Sequence, residues 1–243
     1  MTRTVVVTGG ARGIGRATVQ RFAAAGERVI ALGRDPAALA ALAGVEAQVC
    51  DVTDEDAVSA TFARIGAVDV LVNNAGIGES APLHRTTLDD WTRHLAVNAT
   101  GAFLCMRAAV PGMRERGAGA VVTVASTAGR VGVPYTSAYS ASKHAVIGLT
   151  RAVASEVAGS GVRVNAVCPT FVRTDMTDRS VANIVERTGR TADEAEAALA
   201  AASPLGRLLE PAEVADAIVF LASPAAAAIN GQAIVIDGGG IQA

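Results

Sequence analysis

Thr8-Gly9-Gly10-Ala11-Arg12-Gly13-Ile14-Gly15 is the stretch on which the reading of this sequence turns. It follows a β-branched run, Thr4–Thr8, and opens a segment with helical spacing of apolar residues, Gly13–Ala25. Glycines let the chain turn tightly and let backbone amides approach an anion, while a helix N-terminus adds partial positive charge. Alone, such a turn is weak evidence. Between a strand and a helix it points to the pyrophosphate of a dinucleotide. Its spacing, G-x-x-x-G-x-G, differs from the common G-x-G-x-x-G fingerprint and marks a subset of these folds.

Outward from this turn, short β-branched runs alternate with stretches of helical periodicity. Strands are expected at Thr4–Thr8, Arg28–Leu32, Ala47–Asp51, Val68–Asn73, Ala120–Ala125, Arg163–Cys168 and Ala233–Ile236. Helices are expected near Gly13–Ala25, Pro36–Leu42, Glu55–Ile65, Leu88–Arg116, Ser137–Ala158 and Pro211–Leu221. Several strands are apolar on consecutive residues, as in a parallel sheet covered on both faces. The alternation predicts an α/β Rossmann fold: one doubly wound parallel sheet of about seven strands with helices on both faces. No linker, charge block or internal repeat divides the chain, so residues 1–243 read as a single domain. Phe171–Leu209 breaks the rhythm with Arg173, Arg179, Arg187, Arg190 and an Ala/Glu helix around Ala192–Ala202. It is either a solvated surface helix or a substrate lid, and its place at the carboxyl end of a strand favours the lid.

Composition excludes several classes. Of 243 residues, 51% are hydrophobic, 3% aromatic and 18% charged, which argues against disorder. A net charge of -2 and few aromatics argue against a nucleic-acid surface. Mean hydropathy is +0.36, yet the apolar runs fall far short of the ~20 residues a membrane span requires. No signal-peptide core precedes the glycine turn. Cys50, Cys105 and Cys168 are odd in number and widely spaced, which predicts buried free thiols rather than disulfides or a metal site. His84 and His94 lack partners at metal-ligand spacing, so no metal is expected. A cytoplasmic location is the default expectation.

The identity of the dinucleotide is read near the end of the second strand, at Gly33-Arg34-Asp35-Pro36. Asp35 could take a ribose 2′-hydroxyl, as an acid about 20 residues past the glycine turn does in NAD sites. Asp before Pro is also a good N-cap and first-turn pair, and capping is the favoured reading. Arg34 and Arg12 then stand where a 2′-phosphate would sit, so NADP(H) is favoured and NAD(H) stays open. Asp51 is placed either to reach the adenine or to cap the next helix.

In the second half Ser126 ends a strand, and Tyr139 and Lys143 are four apart on one helical face. An ammonium beside a phenol favours the phenolate, which would bring the Tyr pKa down toward neutrality. Ser126 can donate to the same substrate oxygen. This is the chemistry that hydride transfer between an alcohol and a ketone needs. Spacing alone leaves open an amphipathic helix with surface Tyr and Lys. His144 follows Lys143 and points about 100° away. Tyr135 reads as a pocket wall in the loop before the helix.

Together these residues closely resemble the short-chain dehydrogenase/reductase family over the whole chain. The resemblance rests on Thr8–Gly15, Asp51, Asn73-Asn74-Ala75-Gly76, Asn98, Ser126, Tyr139-x-x-x-Lys143, Cys168-Pro169 with Thr174, and Asp237-Gly238-Gly239. It implies Asn98, Ser126, Tyr139 and Lys143 as catalytic residues. Tyr139 would be general acid in reduction and base in oxidation; Lys143 would hold the nicotinamide ribose and lower the Tyr139 pKa. Ser126 would bind the substrate carbonyl, and the Asn98 backbone carbonyl would hold a water of a proton relay. The implied cofactor contacts are Thr8, Gly9, Arg12, Gly13, Ile14, Gly15, Arg34, Asp51, Val52, Asn74, Ala75, Gly76, Tyr139, Lys143, Pro169, Val172 and Thr174. Thr170 departs from the glycine usual after Pro169.

Within the family the segments around Tyr139 and Asn165–Thr174 resemble 3-oxoacyl thioester reductases and aromatic polyketide ketoreductases. The expected activity is NADPH-dependent reduction of a ketone, either a β-ketoacyl thioester or a polyketide-like substrate. The lid arginines could steer an anionic carrier or merely be solvated. The alternatives are an NAD-dependent 3-hydroxyacyl-CoA or secondary-alcohol dehydrogenase and, more remotely, a non-catalytic dinucleotide-binding protein. The family is mostly tetrameric or dimeric, and Ala108, Ala109, Ala145, Gly148 and Ala152 would let helices pack closely. That supports a homotetramer, though the same residues could pack on their own sheet.

Overall fold

The computed structural model describes residues 2–242. Its seven strands are β1 Thr4–Thr8, β2 Arg28–Gly33, β3 Glu46–Val49, β4 Val70–Asn73, β5 Gly119–Val124, β6 Val162–Pro169 and β7 Ala233–Ile236. The helices are α1 Gly13–Ala24, α2 Pro36–Ala40, α3 Glu55–Ile65, α4 Leu88–Leu95, α5 Gly101–Glu115, α6 Ser137–Glu156, α7 Asp175–Thr188, α8 Ala192–Ala200 and α9 Pro211–Ala222. All strands pair in parallel in the order β3-β2-β1-β4-β5-β6-β7.

Alternate side chains of each central strand enter different layers. Val5 and Val7 pack with Phe22 of α1 and Ile218 of α9, whereas Val6 packs with Phe62 of α3, Leu104 of α5 and Ala154 of α6. Both faces are therefore covered, which is why these strands read as continuous apolar runs. From β1 the chain winds out through β2 to β3, then returns to lay β4 on the other side of β1. The carboxyl ends of β1 and β4 diverge at this reversal and leave a crevice.

Two expectations need correction. The stretch Leu88–Arg116 is not one α-helix: five residues, Ala96–Thr100, form a π-turn between α4 and α5. The cause is tertiary. Asn98 is drawn inward, its Oδ1 accepting from the Ile77 amide at 2.8 Å and its Nδ2 donating to the Ile77 carbonyl at 3.0 Å and Ser142 Oγ at 2.9 Å. The insertion also holds two helices where periodicity suggested one. Its first helix, α7, has Asn and β-branched residues of modest helix propensity. Asp175 and Asp178 at its start, Arg187 near its end and Gly189 in the left-handed region after it are the terminal signals that mark it.

The two ends of the insertion meet at one bridge. Val172 and Leu209 form an isolated parallel bridge, with Arg173 N donating to the Leu209 carbonyl at 2.8 Å and Leu209 N to the Phe171 carbonyl at 2.9 Å. Beyond β7 the Asp237 carboxylate accepts from the amides of Gly239 and Ile241, both at 2.8 Å, and its carbonyl takes the Ser203 hydroxyl at 2.6 Å. The terminal glycine turn thus secures the return from the insertion. Cys50, Cys105 and Cys168 are buried free thiols, and burial pushes Cys105 up to about 12. Among the described residues no helix is long and apolar enough to cross a membrane, and no cluster of His, Cys, Asp and Glu could hold a metal ion.

Candidate active site

The crevice opens into a cavity of about 750 Å³ running from the glycine turn, across the ends of β1, β4, β5 and β6, to the insertion that carries α7 and α8. At one end the glycine turn is built for close approach. A Cβ on Gly15 would stand 2.2 Å from the Gly9 carbonyl oxygen, and Gly9 itself has φ +63°. Thr8 braces the turn from below: its Oγ1 accepts from the amides of Asn74 and Ala75, both at 3.0 Å. Asn74 Nδ2 returns to the carbonyls of Thr8 at 3.0 Å and Gly9 at 3.1 Å. The NNAG segment and the glycine turn are thereby locked together across the crevice.

The residues present fit a dinucleotide. Helices α2, α3, α4 and α8 each begin with a side-chain cap, from Asp35, Asp54, Thr87 and Thr191. Helix α1 begins at Arg12 with no side-chain cap and no acid in its first turn. Gly13 and Ile14 at this end line the cavity, so its amides are left for a ligand anion.

Farther along, Asp35 caps α2 through bonds from Ala37 N at 3.0 Å and Ala38 N at 3.1 Å, and it also holds Arg12 at 2.6 Å. The Ala38 and Ala37 amides and Arg12 keep its carboxyl below the usual range against the opposing effect of burial. Asp51 does not cap α3, which Asp54 does. It accepts from Thr53 N at 2.9 Å and Thr53 Oγ1 at 2.8 Å, and Arg34 stands 3.8 Å away. Burial acts to raise the Asp51 carboxyl, but the Thr53 bonds and Arg34 outweigh it.

At the cavity's centre Tyr139 and Lys143 share one face of α6, with the Lys143 ammonium 5.7 Å from the Tyr139 ring centroid. Ser126, at the end of β5, makes a side-chain hydrogen bond to Tyr139 that favours the phenolate. Lys143 is 5% exposed and donates to the Val124 carbonyl at 2.8 Å. Burial lowers its pKa to about 8. Burial also raises the Tyr139 phenol, and this outweighs the Ser126 bond. The depression of the Tyr139 pKa expected from the sequence is therefore not found in the protein alone: desolvation dominates.

All the site residues read from the sequence line this cavity except Thr8, Gly15 and Asn98. Thr8 supports from below, and Gly15 is the point where α1 crosses the turn. Asn98 is buried behind Gly76, its amide consumed by Ile77 and Ser142. Tyr135 lines the cavity mouth, and His144 points to solvent. Thr170 also lines the cavity while its amide donates to the Ile236 carbonyl at 3.0 Å.

Several wall residues escaped sequence reading. They are Gly78, Glu79 and Ser80 after β4, and Met176, Ser180 and Ile184 on α7. His94 was read from sequence only as lacking metal-ligand partners. It is 1% exposed and accepts from the Glu79 amide through Nε2 at 3.2 Å. Of the four arginines of the insertion, Arg173 is consumed by Glu196 at 3.0 Å and Glu210 at 3.2 Å, and Arg187 and Arg190 lie off the cavity wall; Arg179 is on it.

Comparison with known proteins extends over almost the entire chain. Residues 9–240 match the family model described as enoyl-(acyl carrier protein) reductase. The chain is 40% identical to the 2-(R)-hydroxypropyl-CoM dehydrogenase of Xanthobacter autotrophicus over 98% of both chains. It is 43% identical to the cis-4-hydroxycyclohexanecarboxylate dehydrogenase of Sinomonas cyclohexanicum, covering 98% of this chain and 96% of that one. Its fold superposes on a variant of actinorhodin polyketide ketoreductase with NADPH at a TM-score of 0.93 and 36% identity, covering 98% and 97% of the two chains.

Proposed function

The chain belongs to the short-chain dehydrogenase/reductase family, an oxidoreductase of alcohols and ketones, and on that footing we propose that it is an NADPH-dependent ketoreductase. Its substrate is a β-ketoacyl thioester or a polyketide-like ketone. The observation that carries the reading is the convergence of the Tyr139 phenol, the Ser126 hydroxyl and the buried Lys143 ammonium on one stretch of cavity wall. Likeness to a polyketide ketoreductase with NADPH supports it.

The bound nicotinamide dinucleotide would supply the hydride that reaches the carbonyl carbon. Ser126 donates a hydrogen bond to the carbonyl oxygen, and Tyr139 transfers its phenolic proton to that oxygen, so that ketone, hydride and proton together give the alcohol. Raised by burial, Tyr139 holds its proton at neutral pH, as a general acid in reduction must. Lys143 places positive charge beside the phenolate that remains. Asn98 acts indirectly, by fixing Ile77 and Ser142. Arg12 and Arg34 are exposed and paired only with exposed or half-exposed carboxylates, so both can turn to a 2′-phosphate. The enzyme assembles as a homotetramer through α5 and α6, whose Phe103, Ala108, Ala145, Gly148 and Ala152 are exposed, whereas Ala109 packs inward.

A second reading, NAD-dependent oxidation of a 3-hydroxyacyl-CoA or secondary alcohol, draws on Asp35 and Asp51, which answer the two arginines with carboxylates. The deciding experiment follows NADPH and NADH absorbance with acetoacetyl-CoA and with simple ketones. Turnover with NADPH preferred, lost by a factor of about 10² or more in Tyr139→Phe, is the expected result. No turnover with any ketone would sink the reductase reading, and a strong NADH preference would sink the cofactor assignment.

A further inference from the structure

The charged groups on the cavity wall are almost all answered by a partner. Arg12 is held by Asp35 at 2.6 Å and faces Asp175 at 3.7 Å; Arg34 faces Asp51 at 3.8 Å. Glu79 is clasped by both Arg93 nitrogens, at 2.7 and 3.1 Å. Lys143 is spent on the Val124 carbonyl and the tyrosine. Arg179 is the exception. Among the described residues it has neither a hydrogen bond nor an ion-pair partner, although it lines the cavity.

Its placement follows from helix geometry. Met176, Arg179, Ser180 and Ile184 fall at i, i+3, i+4 and i+8 of α7, and all four line the cavity. Asn183, on the same face, donates to Ser80 Oγ at 3.1 Å and so ties α7 across to the loop after β4. The same cavity wall carries apolar Phe171, Met176, Ile184 and Leu199 from the insertion and Val133 and Pro134 from the loop before α6. A single unanswered guanidinium in such a wall favours a ligand that brings its own negative oxygen atoms, because Arg matches carboxylate, sulfonate and phosphate geometry alike.

We propose that Arg179 is the specificity-determining residue of the substrate end, selecting ketones or alcohols that carry an oxyanionic group away from the reacting carbon. This rests on the assignment of that end of the cavity to substrate. It narrows the arginine-rich lid to one residue that binds the substrate, and it removes Arg173, which is committed to Glu196 and Glu210.

The test measures binding separately from turnover. Titration calorimetry on the NADP⁺-loaded protein compares 4-oxocyclohexanecarboxylate with its methyl ester, and acetoacetyl-CoA with the N-acetylcysteamine thioester of acetoacetate. In the unmodified protein the anionic member of at least one pair binds about tenfold tighter at low salt, with the ratio narrowing at high salt because the site is exposed. Arg179→Gln removes that ratio while leaving the neutral member unchanged, and Arg179→Lys restores part of it. Where turnover occurs, the change falls on KM and leaves kcat within about twofold. Discrimination confined to the first pair assigns the oxyanion to a substrate carboxylate; confined to the second, to carrier phosphate. Equal binding within both pairs, or an Arg179→Gln effect shared by neutral members, overturns the proposal. Discrimination in binding with no turnover of any ketone would instead count against the reductase reading.

Discussion

His94 stands edge-on to Tyr139, with ring centroids 6.4 Å apart and planes at 81°. Its Nδ1 lies 2.7 Å from the Asp90 carbonyl, which can only accept, so Nδ1 carries the proton and Nε2 is the acceptor for the Glu79 amide. One buried imidazole therefore joins α4, Tyr139 and the loop that walls the cavity. His94→Leu fills the space but leaves the Glu79 amide without an acceptor, which should lower the unfolding free energy by about 1–3 kcal/mol. His94→Gln offers an acceptor again and should recover much of the loss. Urea unfolding of the three proteins checks this; equal stability of the Leu and Gln variants would show that the amide bond contributes nothing.

Lys143 links pH to stability. Its folded pKa is about 8 against an ordinary 10.5, so between these values the unfolded chain binds the extra proton and stability rises with pH. Below about 8 both states are charged and the full cost of burial is present. Lys143→Met should remove that slope and stabilise the protein at pH 7 by up to about 3 kcal/mol, while abolishing activity. Denaturation at pH 7 and pH 10 measures it. The same titration predicts that rates relying on the ammonium fall as pH rises past about 8.

Cofactor choice should respond asymmetrically to the two neighbours at the end of β2. Arg34→Ala is expected to lower kcat/KM for NADPH by roughly 10- to 100-fold and leave NADH within about twofold. Asp35→Ala removes the α2 cap, costing about 1 kcal/mol of stability, and frees Arg12 without weakening NADPH. A collapse of NADH use in Asp35→Ala would mean that this carboxylate takes a ribose hydroxyl.

Tyr135 is the one non-glycine residue with positive φ, +65°, among the described residues, and its carbonyl accepts from Ala81 N at 2.8 Å. Holding an L side chain there costs on the order of 1 kcal/mol. Tyr135→Gly should relieve that strain and raise stability by up to about 1 kcal/mol, while raising KM as the ring leaves the cavity mouth. Tyr135→Phe should change neither. A glycine variant less stable than the parent would show that the ring's contacts outweigh the backbone cost.

Much of this molecule is legible from local pattern. The glycine turn, the strand–helix alternation and the Tyr139–Lys143 spacing depend on neighbours within a few residues, and each lies where that pattern places it. What was not legible depends on partners distant in sequence. The π-turn at Ala96–Thr100 is held by Ile77 and Ser142, the Thr8 hydroxyl is turned toward Asn74 and Ala75, and His94 is fixed through Glu79. The Tyr139 pKa went astray for a similar reason: spacing showed the ammonium, while desolvation appears only once the cavity walls are assembled. Helix α7 was missed because it buries almost nothing in a core: Met176 and Ile184 line the cavity instead, too few apolar residues to set a strong period.

The bridge between Val172 and Leu209 means that the polypeptide leaves the sheet and comes back to it at adjacent points. Whatever lies between them is, mechanically, a closed loop whose two ends share one rung, with side ties from Asn183 to Ser80 and from Ser203 to Asp237. No residue of that loop takes part in the register of any strand. The fold thus sets the segment between Val172 and Leu209 apart from the sheet that carries Ser126 and from the helix that carries Tyr139 and Lys143, so one side of the cavity is furnished by a loop outside the strand ladder.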